Sequence, residues 1–134
     1  MKLIPIPASA GITGFESPAE EYHQLDLSLD ELLVERPSST FLGSAQGDSM
    51  IELGIFDGDL LIIDRFPAAQ HNDVIVANLN GEFICKLLDL NNRQLLSANA
   101  KYSSVKITEN DQFTIEGVVV SSIRMFRKSY LLST

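Results

Sequence analysis

Two residues of this chain have the types and the setting to do chemistry together. Ser49 lies in "AQGDSMIELGIFDGDLLIID" (residues 45–64), a glycine-flanked turn followed by a strand-like apolar run. A serine hydroxyl attacks only when a neighbouring group takes its proton. The familiar partner is a histidine held by an aspartate. The chain has two histidines, His23 in an acidic stretch and His71 in a polar turn with Asn72 and Asp73, and neither has the surroundings of a triad or a metal-ligand spacing. The G-x-S-x-G elbow is absent, because Met50 and Ile51 follow Ser49. A lysine can replace the histidine if its amine is neutral, and desolvation among apolar neighbours lowers a lysine's pKa. Lys86, inside "EFICKLL" between Cys85 and Leu87, has that setting, whereas Lys2, Lys101, Lys106 and Lys128 sit near ends, turns or polar neighbours. Read singly, Ser49 is also a good turn residue of a Gly-Asp-Ser loop and Lys86 a strand lysine facing solvent. Read together, 37 positions apart and each in a strand context, they form a candidate Ser-Lys dyad.

The elements that must position them are strands. From Thr40 onward, "STFLGSA", "DLLIID", "DVIVANL", "EFICKLLDL", "RQLLSAN" and "FTIEGVVVSSIRMF" are short and rich in β-branched or aromatic residues. Between them lie turn signals at Asp57-Gly58-Asp59, His71-Asn72-Asp73, Asn80-Gly81 and Asn91-Asn92. Asn80-Gly81 between two apolar runs is the strongest hairpin signal, since both positions accept positive φ. The pattern predicts a mostly β fold, a twisted antiparallel sheet or partly open barrel of six or seven strands. Residues 1–39 differ. They hold four of the five prolines, Ser17 with Pro18 and Glu20 offers a helix start, and "SLDELLVER" offers a short helical turn. We therefore divide the chain into an N-terminal arm with short helix (1–39) and a β domain (40–134).

A chain of 134 residues, 45% apolar and 21% charged, has the size and composition of one globular domain. No apolar run nears the roughly 18–20 residues needed to span a bilayer, and prolines interrupt the N-terminal "MKLIPIPASAGITG". A cytoplasmic protein without membrane association is the expectation. Net charge is −8, with eight acids against Lys2 and Arg36 in residues 1–48 and ten acids against eight bases thereafter. Such a surface is repelled by phosphate backbones, so direct DNA binding is not expected. The basic cluster Arg124, Arg127 and Lys128 reads as a solvated C-terminal end. One cysteine excludes an intrachain disulfide and a cysteine zinc site, and Cys85 reads as a buried inert thiol. No metal or cofactor is implied.

"GDSMIELGIFDGDLLIID" resembles the nucleophile segment of the LexA-like self-cleaving serine peptidases, and "DVIVANLNGEFICKLL" resembles their lysine segment. "GFESPAEEY" and "LDLSLDELLVERPSSTF" resemble the arm of the UmuD-type branch, the accessory subunits of an SOS-induced translesion DNA polymerase (polymerase V). The resemblance covers about residues 13–126. It implies a LexA-like peptidase fold in which Ser49 is the nucleophile, Lys86 the general base, and the backbone N–H groups of Asp48 and Ser49 the oxyanion donors. Gly47 then allows close approach, Met50 packs, and Asp57, Gly58 and Asp59 form a turn. The implied substrate is the chain's own arm, cut between Thr13 and Gly14. Ala or Cys is usual before that glycine, so Thr13 departs from the pattern, and Ala10–Gly11 is the fallback cut. Implied partners are a second copy in a homodimer, the RecA–single-stranded DNA filament that stimulates cleavage, and a UmuC-type polymerase subunit. Ile123, Met125 and Phe126 are expected in either a dimer interface or the core. Two other readings keep the fold: a non-cleaving interaction module, and a mobile-element regulator of the SOS response.

Overall fold

The computed structural model of the chain describes the backbone of residues 2–3 and 25–26, and residues 28–132 in full. The chain divides into two units, Met1–Glu35 and Arg36–Thr134. In the first, strands β1 (Lys2–Leu3) and β2 (Leu25–Asp26) pair antiparallel. A five-residue helix, α1 (Leu29–Leu33), follows; Ser28 caps it by accepting the Glu31 N–H at 3.0 Å, and Asp30 and Glu31 complement its positive end. The helical turn expected in "SLDELLVER" is therefore present. The helix start expected at Ser17 lies outside the described residues, as do His23, Ala10, Gly11, Thr13 and Gly14.

The second unit is one antiparallel sheet of seven strands: β3 (Thr40–Ser44), β4 (Leu60–Asp64), β5 (Val74–Leu79), β6 (Glu82–Asp89), β7 (Gln94–Leu96), β8 (Val105–Lys106) and β9 (Phe113–Ile123). Their order is β3-β4-β9-β5-β6-β7-β8, so the sheet is open and mostly β as the pattern predicts. Asn80 (φ 53°) and Gly81 (φ 91°) turn β5 into β6, the left-handed pair that a two-residue hairpin needs. The two-residue β8 has no apolar alternation and is not legible in the sequence.

Alternation sorts the side chains into two apolar clusters. Along β5, Val74 and Val76 pack with Ala45, Met50, Ile55, Leu61, Ile63 and Ala98, while Ile75 and Ala77 pack with Leu88 and Leu95. β4 is buried along its length from Leu61 to Asp64, which is why "LLII" reads as a continuous apolar run. The long strand β9 joins the halves, pairing β4 and β5, with register shifts opposite Ile62/Ile63 and Val76/Ala77. Such bulges increase local twist. Between them Gly117 lies against β4: a Cβ there would sit 2.6 Å from Ile63 Cγ2 and 3.0 Å from the Asp64 carbonyl oxygen. Because one of those neighbours is backbone, Gly117→Ala is expected to destabilise the unit by roughly 1–3 kcal/mol. Urea unfolding checks this; an unchanged midpoint would show that β9 has slack there.

Buried carboxylates fasten the ends of the strands. Asp64 accepts Arg36 Nη1 at 2.8 Å, Ser39 Oγ at 2.7 Å and the Phe66 N–H at 3.0 Å. Asp59 takes a bidentate pair from Arg124 (2.9 and 2.8 Å), whose guanidinium also donates to the Gly54 carbonyl and lies 4.1 Å over the Phe56 ring. Arg124 is thus a structural pairing residue and not part of a solvated basic end. Phe126 is 97% exposed and Met125 is exposed, so core packing, one of the two roles open for them, does not hold within this unit.

Candidate active site

A cleft of about 460 Å³ lies beside the sheet, lined among others by Phe41 and Ser44 of β3, Gly47, Ser49 and Met50 of the following turn, and Phe83, Cys85 and Lys86 of β6. Ser49 and Lys86, far apart in sequence, line the same cleft. His71 does not line it: its ring accepts the Leu90 N–H at 3.2 Å and lies 3.6 Å from Asp89 at an exposed loop.

The Ser49 turn is built from backbone exceptions and anchors. Gly47 takes φ 82°, a left-handed conformation that suits glycine, and its N–H donates to Asp57 Oδ1 at 2.8 Å. Asp57 therefore does more than form its own turn. Met50 is 3% exposed and roots the turn in the first apolar cluster, the packing role expected of it. A 3-10 turn, Ile51–Leu53, follows and ends at Gly54 in the left-handed region. Half-buried Ser49 has no hydrogen-bond partner for its hydroxyl or its N–H among the described residues.

A loop that sequence reasoning passed over holds this turn in place. Asn99, nearly buried, donates Nδ2 to the Asp48 carbonyl at 2.8 Å. Lys101 Nζ donates to Asp48 Oδ2 at 2.8 Å, and Tyr102 Oη donates to Asp48 Oδ1. The Glu52 N–H donates to the Ala98 carbonyl, and Glu52 Oε2 accepts the Ala100 N–H, both at 2.8 Å. The hydrogen bonds from Lys101 and then Tyr102 hold the Asp48 carboxyl below the usual carboxylate range. The strand expected over "RQLLSAN" stops at Leu96, so Ser97, Ala98 and Asn99 lie in the loop, and no motif marks their contacts, because the partners lie some fifty residues earlier and only the fold brings them together.

Lys86 sits mid-β6, opposite Ile75 of β5. Its Nζ donates to Ser97 Oγ at 2.9 Å and lies 5.7 Å from the centroid of the Tyr102 ring. Among the described residues it forms no ion pair. Burial lowers its pKa from the ordinary lysine value. Next to it, burial pushes the Cys85 thiol up to about 11, so Cys85 stays a thiol near neutrality and competes neither as nucleophile nor as counter-ion. The cleft thus joins a hydroxyl without a partner among the described residues, a desolvated amine and a backbone N–H on the Ser49 turn. That set can activate a serine and stabilise an oxyanion.

The sequence profile of the peptidase S24-like family matches residues 5–120. The protein ImpA of Salmonella typhimurium is 35% identical over 124 residues, covering 92% of this chain and 86% of its own length. The protein MucA of Escherichia coli is 38% identical over 82% of this chain and 77% of its own length. The LexA repressor of Alcanivorax borkumensis is 41% identical over 69% of this chain and 45% of its own length. Taken with the open antiparallel sheet, these matches establish that the chain belongs to the peptidase S24-like family, among its UmuD-like members.

Proposed function

We propose that this chain is a UmuD-like SOS-response protein, a serine endopeptidase that removes its own N-terminal arm with a Ser49–Lys86 dyad. The arm spans residues 1–39 and the peptidase domain residues 40–134. The observation that carries the reading is the shared cleft, with Ser49 unpartnered among the described residues and Lys86 desolvated without a carboxylate. Neutral Lys86 takes the Ser49 proton as Oγ bonds to the Thr13 carbonyl carbon. The oxyanion is held by the backbone N–H groups of Asp48 and Ser49. Collapse breaks the Thr13–Gly14 bond, and Lys86 returns the proton to the Gly14 amine. Water, deprotonated by Lys86, then hydrolyses the acyl ester and regenerates Ser49. The 35 residues from Gly14 to Ser49, at roughly 3.3–3.6 Å each when extended, reach the chain's own cleft or that of a second copy.

The trimmed chain, a cytoplasmic homodimer, then serves as accessory subunit of a UmuC-type error-prone polymerase. The RecA–single-stranded DNA filament speeds cleavage by stabilising the docked arm, a population shift. Neither direct DNA binding nor a cofactor has a part in this scheme. The test is intact mass of the purified chain at pH 7 and pH 10. Loss of residues 1–13, faster at pH 10, is expected. A cut after Ala10 would keep the mechanism and move the site. A chain uncut at both values, and with the filament added, would overturn the peptidase reading and leave a non-cleaving interaction module.

A further inference from the structure

We infer that Ser97 is a positioning residue for Lys86, holding its amine so that the lone pair is directed to the Ser49 hydroxyl. This rests on Lys86 being the base. The β6–β7 register pairs Leu88 with Leu95 and Leu87 with Leu96. β7 ends at Leu96, so Ser97 is the first residue beyond the paired register, next to the pair that adjoins Lys86. The 2.9 Å hydrogen bond from Lys86 Nζ to Ser97 Oγ is thus made at the end of β7, where the strand pairing fixes the backbone one residue before Ser97.

A neutral primary amine has two N–H donors and one lone pair, and rotation about Cε–Nζ sets where the lone pair points. Fixing one N–H on Ser97 Oγ removes most of that freedom, and orientation of this kind contributes directly to rate. The remaining groups facing the amine do not supply it. Ile75 is apolar, Cys85 stays a thiol, and the Tyr102 ring presents its π system at 5.7 Å. Lys101 and Asp48, beyond Tyr102, are paired to each other. Among the described residues, Ser97 is also the hydroxyl that accepts from the Lys86 ammonium, which favours the charged form.

Those two roles give opposite signs in one experiment, which separates positioning from scaffolding. Self-cleavage of the full chain is followed by intact mass from pH 6 to pH 11 for wild type, Ser97→Ala and Ser97→Thr. Ser97→Ala is expected to lower the alkaline plateau about tenfold while moving the midpoint of the rise to lower pH. Ser97→Thr restores both. In parallel, NMR titration of the Lys86 ε-methylene in the uncleavable Ser49→Ala chain reads the same midpoint without activity, and Ser97→Ala should move it in the same direction. A plateau and midpoint equal to wild type overturn the inference, and so does a lower plateau with an unmoved midpoint. If wild type is never cut, the base assignment fails while the titration still judges the Ser97 contact. Should Ser97→Ala unfold by thermal melt, Ser97→Cys, of similar shape with a weak acceptor, must show the shift or the inference falls.

Discussion

Ser49→Ala is expected to leave the chain at full length under every condition that trims the wild type, a rate loss of at least about a thousandfold. Removing the hydroxyl removes the proposed nucleophile, and the Cys85 thiol in the same cleft, held protonated to about 11, does not replace it. Lys86→Ala should lose a similar amount, because a hydroxyl without a base is a weak nucleophile. The double variant should be little worse than either single one, as residues acting as a unit are not additive. Stability provides the control. Ser49 makes no hydrogen bond among the described residues, so its loss should move the folding free energy by within roughly 0.5 kcal/mol. Intact mass and a thermal melt together decide the matter. A Ser49→Ala chain trimmed at the wild-type rate would remove Ser49 from the mechanism, and one that fails to fold would make it a structural turn residue.

The parts of this molecule legible in the sequence are those with local causes. Alternation and β-branched composition marked six strands of the large sheet, and Asn80-Gly81 marked its hairpin through a conformational demand that few residue pairs meet. Ser49 and Lys86 stood out because a turn serine and a lysine among apolar neighbours are each slightly out of place. What remained hidden depends on register and topology. Strands β1, β2 and β8 are two residues long, too short for any period to show. Ser97 matters only because β7 pairs with β6 and ends one residue before it, which brings its hydroxyl to Lys86. Arg124 resembled an exposed basic residue until the sheet order put β9 beside β4 and thus beside Asp59, 65 positions away. The Asn99–Tyr102 loop is the same case: nothing local marks its polar residues, yet they hold the Ser49 turn through Asp48.

That loop makes the pH dependence of self-cleavage a sharp expectation. In the proposed mechanism only the neutral amine of Lys86 takes the Ser49 proton, so below its pKa the rate should rise about tenfold per pH unit and then level off. Burial lowers that pKa, so the levelling should come at lower pH than an exposed lysine would give. The anchors around it titrate the other way. Lys101 is pushed up by its hydrogen bond to Asp48, and Tyr102 is pushed up by the same carboxylate. Asp48, held low, stays ionised throughout. As pH rises, Lys86, lowered from the ordinary lysine value, therefore gives up its proton before Lys101, raised above it, and the Ser49 turn keeps its Lys101–Asp48 anchor over the range in which the base is switched on. Rates from pH 6 to pH 11 test the order. A flat or falling profile would deny Lys86 the role of base. A rise that collapses before levelling would mean that the anchors titrate first. For Lys101→Ala, which removes one anchor and leaves the base untouched, the argument requires a lower plateau with the midpoint of the rise unchanged.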